Sequence, residues 1–262
     1  MNNAIHPIPA FTDNYIWAIR CGNQCLVVDP GDATPVLSYL EQTQVKLAGI
    51  LITHHHADHT GGLNTLQNTF PGCPVYGPQG NHIKGITIAL GDGDQLEPLP
   101  GLTFKVLTVP GHTLDHIAFF ASEGLNGHPL LFCGDTLFAG GCGRIFEGDP
   151  GMMYTSLSRL TELPDQTQVY CAHEYTMANL GFAAKADPDN SALFTRIKTE
   201  QSKREKNEPT LPSTIGIELR TNPFLRCHNT EVATQVAQHW NKDVASSATE
   251  IFADLRRWKD NA

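Results

Sequence analysis

The sequence predicts an α/β layered domain followed by a helical one. Short β-branched and aromatic runs alternate with helically spaced segments over the first two-thirds of the chain, and beyond about residue 174 only helical spacing remains. Composition agrees: of 262 residues, 40% are hydrophobic and 17% charged, which provides apolar surface for one large core or two modest ones and too little charge for disorder.

Strand-like runs occupy residues 14–20, 24–28, 45–52, 102–109, 117–121, 130–133 and 168–171, several ending in Asp-Pro-Gly, Pro-Gly or Gly-Asp turn signals. Helical spacing between them covers 35–42, 63–69 and 150–163, the last with Asp149 as N-cap and Pro150 in the first turn. Later helices are expected over 175–185, 191–207, 231–240 and 248–258, separated by Pro188, Pro209, Pro212 and Pro223, with no strand among them. This change of texture divides the chain into a first domain of residues 1–173 and a helical domain of residues 174–262. The charged run 198–206 reads as a solvated helix face.

A net charge of −9 disfavours nucleic acid as a partner. Seven scattered cysteines suit reduced thiols in the cytoplasm, not disulfide staples. The first residues lack the charged and apolar regions of an export signal, and no stretch is apolar enough for a membrane span, so no membrane partner is expected. Nothing requires more than a monomer.

Histidine is the unusual count: 12 in all, four of them within residues 54–59. The segment Thr53-His54-His55-His56-Ala57-Asp58-His59-Thr60-Gly61-Gly62 follows the apolar run 47–52. With an extended backbone, His54 and His56 point to one side and His55 to the other. Asp58 and His59 then fall where the chain turns toward a helix opened by Gly61-Gly62. Packing these side chains together without a metal leaves polar groups unpaired or charges repelling, whereas imidazole and carboxylate form a donor set for zinc, iron or manganese. Three further strand ends supply one such side chain each: His112 in Pro110-Gly111-His112-Thr113, Asp135 in Gly134-Asp135-Thr136, and His173 in Cys171-Ala172-His173-Glu174.

This ordered set of H-x-H-x-D-H, G-H-T, G-D-T and a late strand-end histidine resembles the metallo-β-lactamase superfamily. Within it, the stretches 53–62, 138–144, 171–176 and 222–226 resemble glyoxalase II, the hydroxyacylglutathione hydrolases, along essentially the whole chain. The resemblance implies an αβ/βα layered sandwich with a C-terminal helical domain. It implies two divalent metal ions, zinc foremost with iron or manganese as alternatives. His54, His56 and His112 would hold one ion, Asp58, His59 and His173 the other, and Asp135 would bridge them. Asp29 matches the family's first motif as a supporting or turn residue, not a ligand. Asp115 stands where G-H-T-x-G-H has glycine, which touches the turn before His116 and not His112.

The implied reaction is hydrolysis of S-(2-hydroxyacyl)glutathione, such as S-D-lactoylglutathione, to glutathione and D-lactate, the second step of methylglyoxal detoxification. A hydroxide shared by the two metals would attack the thioester carbonyl, with Asp58 and Asp135 as the catalytic carboxylates. A thiol with a pKa of about 8.5 leaves without a strong general acid, which suits a thioester better than an amide. By position, Arg144, Phe146, Tyr175, Arg256 and Lys259 would bind the glutathione moiety. Arg144 and Phe146 stand where many relatives have lysine and tyrosine, keeping the charge and losing a phenolic hydrogen bond. On the last helix Ile251, Phe252, Leu255 and Trp258 form an apolar stripe while Arg256 and Lys259 share another face, either solvated or holding a glycine carboxylate. Rival readings are a nucleic-acid phosphodiesterase, a persulfide-oxidising single-iron enzyme, a non-hydrolytic di-iron redox protein and a metal-binding protein without catalysis. The acidic balance weighs against the first. The complete ligand set weighs against the second, and His56 in place of a glutamate against the third.

Overall fold

The computed structural model describes residues 3–262, which divide into two compact units. The first comprises the chain up to Thr108 together with Asp115–Gly134, and the second Val109–Leu114 with Asp135–Ala262.

In the first unit, strands β1 (Ala4–Ala10), β2 (Asn14–Cys21), β3 (Gln24–Val28), β4 (Lys46–Leu51), β5 (Val75–Pro78) and β6 (Ile88–Leu90) form one sheet in that order. The first three are antiparallel and the rest run parallel from β3. Parallel neighbours need long crossovers. Helix α1 (Ala33–Thr43) makes the β3–β4 crossover, and α2 (Ala57–Thr60) with α3 (Leu63–Thr69) the β4–β5 crossover. Helix α1 starts where Asp32 accepts the Thr34 N–H at 2.8 Å. The alternation of β3 shows why the run is apolar from Cys25 onward: Cys25 and Val27 join α1 and α3 residues such as Val36, Leu40, Leu63 and Leu66 in one core, while Leu26 and Val28 are also buried outside that cluster. Strands β7 (Gln95–Leu99), β8 (Leu102–Thr108), β9 (Ile117–Ala121) and β10 (Leu130–Gly134) make an antiparallel meander. Its buried face centres on Phe104, which meets Phe119 and Phe132 edge-on at 6.2 and 6.0 Å.

The second unit carries the hairpin β11 (Leu137–Phe138) and β12 (Gly141–Cys142), then α4 (Pro150–Thr161), β13 (Gln168–Cys171), α5 (Thr176–Ala186), α6 (Ser191–Glu205), β14 (Ser213–Thr214), α7 (Ile215–Thr221), α8 (Thr230–Trp240) and α9 (Ala248–Asp260). The expected cap of α4 is present, with Asp149 accepting the Met152 N–H at 2.9 Å. A capping box of Ser247 and Glu250 starts α9. The expectation of no strand after residue 174 is corrected by β14, which pairs antiparallel with β13. Two residues carry no readable period. Buried Glu218 on α7 ties distant segments together: it accepts from Arg196 of α6 at 2.6 Å, from the Gly140 N–H at 2.8 Å, from Asn222 at 3.1 Å and from Ser213.

All seven cysteines are reduced thiols. Burial pushes Cys25 and Cys171 up to about 12 and Cys73 up to about 11, and also raises Cys142 and Cys227. No helix among the described residues is long and apolar enough to cross a membrane.

Candidate metal centre

In the first unit the backbone continues past β4 through Thr53 and His54 before turning into α2 at His56. Asp58 and His59 lie in the single turn of α2, and Gly62 is the N-cap of α3, so they stand ahead of a helix opened by the Gly61-Gly62 pair as expected. The loop Asp29-Pro30-Gly31 packs backbone to backbone against α2: a Cβ on Gly31 would stand 1.8 Å from the Asp58 carbonyl oxygen. That close approach brings Asp29 beside the histidines. Its Oδ1 accepts the Thr53 N–H at 2.8 Å, and its Oδ2 accepts the Thr53 hydroxyl at 2.7 Å and His59 Nδ1 at 3.0 Å. The Thr53 hydroxyl, having donated to Asp29, accepts from His54 Nδ1 at 3.0 Å.

These bonds fix tautomers. His54 and His59 carry their protons on Nδ1, so each Nε2 keeps a lone pair. Both imidazoles are fully buried, their ring centroids 4.1 Å apart, and His56 lies 4.8 Å from His54. His116 stacks on His54 at 4.6 Å, and His55 turns away to Asp115 at 3.0 Å, so both act as supports. Asp58 accepts from Asn14 Nδ2 at 3.1 Å.

In the second unit His112 donates Nδ1–H to the Arg144 carbonyl at 2.7 Å, leaving Nε2 as the ligating atom by the same logic. His112 Nε2 lies 3.4 Å from Asp135 Oδ2, and His173 Nε2 lies 3.4 Å from Asp135 Oδ1. Each carboxylate oxygen thus faces one imidazole. A Cβ on Gly143 would stand 1.9 Å from the Asp135 carbonyl oxygen, so the segment carrying Arg144 must pass close to Asp135 as glycine. His173 stacks on Tyr175 at 4.7 Å and 6°, and His112 meets the Phe146 edge at 5.3 Å. Buried imidazole nitrogens held as acceptors beside carboxylates fit a divalent ion of the zinc, iron or manganese type.

The basic residues expected to meet substrate also lie in this unit. Arg256 is only 6% exposed, so the solvated-face alternative does not hold for it. Its Nη1 donates to the Cys142 carbonyl at 3.0 Å, its Nη2 to Asp260 at 2.9 Å, and its guanidinium lies 5.2 Å from the Phe224 ring centroid. Arg144 Nε is 3.5 Å from the same Asp260 oxygen. Lys259 Nζ sits 5.2 Å from the Phe182 ring centroid, and burial, reinforced by Arg256, pushes this lysine down to about 8. Tyr175 and Phe146 are exposed. Asn14, Thr53 and the Arg144 carbonyl are the supporting groups the sequence reading gave no role. Only Asn14 leaves a signal, as an amide opening an apolar strand.

Two family models match the chain: the metallo-beta-lactamase superfamily over residues 11–173 and the hydroxyacylglutathione hydrolase C-terminus over residues 174–262. Proteins named hydroxyacylglutathione hydrolase are similar along the full length. That of Photobacterium profundum is 50% identical over 98% of both chains, and that of Nitrosomonas europaea 48% identical over 98% of this chain and 95% of its own. Among solved structures, ETHE1 from Myxococcus xanthus superposes with a TM-score of 0.65 at 23% identity, covering 98% of this chain and 90% of that one. The BLEG-1 B3 metallo-beta-lactamase gives 0.63 at 23% identity, covering 85% and 99%. At that identity the likeness is one of fold.

Proposed function

The chain belongs to the hydroxyacylglutathione hydrolase family of the metallo-β-lactamase superfamily, and from that premise we propose that it hydrolyses S-(2-hydroxyacyl)glutathione thioesters such as S-D-lactoylglutathione. Water adds to the acyl carbon, the C–S bond breaks, and glutathione and D-lactate leave. His54, His56 and His112 would hold one divalent ion, Asp58, His59 and His173 would hold a second, and Asp135 would be shared. Zinc is the metal we assign. When bound, the two ions supply acidified water at neutral pH and Lewis acidity toward a carbonyl oxygen.

The chain's own residues do the rest. Asp29, Thr53 and the Arg144 carbonyl keep three imidazoles in one tautomer. Asp58, steadied by Asn14, orients the attacking water. Phe146 and Tyr175 offer exposed rings beside His112 and His173 for the thioester, and Arg144, Arg256 and Lys259 hold a carboxylate of the glutathione moiety. No side chain needs to protonate the departing sulfur, because a thiolate of pKa about 8.5 is stable enough to leave. The two family matches support reading residues 1–173 as the metal-binding domain and 174–262 as the substrate-binding one. We read it as a monomer in the cytoplasm, the compartment that its free thiols suit.

One observation carries the reading: Asp135 lies between two imidazole nitrogens, 3.4 Å from His112 Nε2 and 3.4 Å from His173 Nε2, where a carboxylate would be available to two ions. Purified protein should release thiol from S-D-lactoylglutathione, lose that activity in chelator and regain it with zinc. Asp135→Ala should lose metal and turnover together. Turnover that persists undiminished in chelator would sink the proposal.

A further inference from the structure

Helix α9 ends on an acidic residue, at the end where the helix dipole disfavours one. Its i,i+4 pair with Arg256 places the acid after the base, the weaker order for a helix, so helix stability accounts for little of Asp260. Its Oδ1 accepts from Arg256 Nη2 at 2.9 Å and lies 3.5 Å from Arg144 Nε, and it follows Lys259 in sequence. Two of the three cations assigned to a substrate carboxylate thus converge on a carboxylate that belongs to the chain. The two sides of the Arg256 pair differ: Arg256 is 6% exposed and held by the Cys142 carbonyl, whereas Asp260 is an exposed residue in the last turn of α9. The exposed edge of the guanidinium is the Nη2–H that Asp260 accepts, so an incoming carboxylate seeking that donor competes with Asp260 for it.

We propose that the Asp260 carboxylate is a displaceable stand-in for the substrate's carboxylate. It neutralises Arg256 and Arg144 between turnovers and is exchanged for the glycine carboxylate of a glutathione thioester. The exchange keeps a buried guanidinium paired when no ligand is present, where an unpaired one is strongly destabilising. It also weakens the hold on glutathione, the product that carries the same carboxylate, and so favours its release. The inference rests on the proposed function and adds a residue that sets affinity, not chemistry.

The test compares the metal-loaded wild type with Asp260→Asn, which keeps the shape and removes the charge. Calorimetry gives Kd for glutathione and for its glycine ethyl ester, and steady-state assay gives KM and kcat for S-D-lactoylglutathione. Kd for glutathione and KM should both fall about two- to fivefold, the range for a partly exposed ion pair, while Kd for the ester stays put. Asp260→Ala should show the same fall, which rules out binding by the new amide. Unchanged or weaker binding in both variants overturns the inference, as does an equal gain for the ester. Thioester turnover with an unmoved Kd overturns this inference alone, and a wild type that neither binds glutathione nor turns over overturns the proposed function with it.

Discussion

Replacing Asp29 by Asn removes one charge and almost no volume, and the left-handed backbone there, at φ 53, suits Asn as well as Asp. The substitution instead alters the direction of hydrogen bonds. Asp29 accepts three, from the Thr53 N–H, the Thr53 hydroxyl and His59 Nδ1 at 2.8, 2.7 and 3.0 Å. An amide has one oxygen. If that oxygen keeps the Thr53 N–H, its NH2 faces the hydroxyl and the imidazole as a donor. His59 must then accept through Nδ1 and carry its proton on Nε2, which removes the lone pair a metal requires. The reversed Thr53 hydroxyl presses the same change on His54 at 3.0 Å. Loss of one such outer partner costs about 10–100-fold in metal affinity. With two imidazoles affected we expect the upper end, ~2.7 kcal/mol at ~1.36 kcal/mol per tenfold. Zinc titration against a chromophoric chelator measures the affinity, and circular dichroism checks that the variant is folded. A folded Asp29→Asn protein that keeps two ions with affinities within about twofold of wild type would refute the tautomer argument.

Three further outcomes follow from the second unit. Lys259 is held down near 8, so its ammonium is lost as pH rises through that value; KM for the anionic thioester should climb from about pH 7 to about pH 9, and Lys259→Arg should flatten the climb, while a flat wild-type profile would refute it. Arg256→Ala should raise KM far more than it lowers kcat, and because Arg256 is buried against Cys142 and Phe224 it should lower the melting temperature too; an unchanged KM would exclude it from substrate binding. Glu218→Gln leaves buried Arg196 without its counter-charge, so urea unfolding should show a loss of about 3 kcal/mol, and a loss under about 1 kcal/mol would mean the pair is not the keystone of α6 and α7.

The parts legible in the sequence are those in which side-chain chemistry and spacing coincide. His54 and His56 could be paired because the chain stays extended past an apolar strand, and the Asp149 cap because its neighbours are Pro150 and a helical run. What escaped has no side-chain signature or too little length. The Arg144 carbonyl supports His112 with an atom every residue possesses. Strands β5 and β6 have four and three residues amid Gly and Pro, and α7 is a seven-residue helix wedged between Pro212 and Pro223. Arg256 looked as though it might face solvent, because a formal charge does not reveal that its guanidinium can lie over Phe224 and bond a buried carbonyl.

The thiols sunk in the core bear on life beside the reaction's own product. A catalyst that liberates glutathione works in a pool of thiol and, under oxidative load, of glutathione disulfide. Exchange with that disulfide requires a thiolate, and a cysteine raised to about 12, as Cys25 and Cys171 are, offers roughly one thiolate in 100,000 molecules at neutral pH. These residues are therefore chemically silent toward glutathionylation. At these two positions the enzyme can process one form of glutathione without being modified by another.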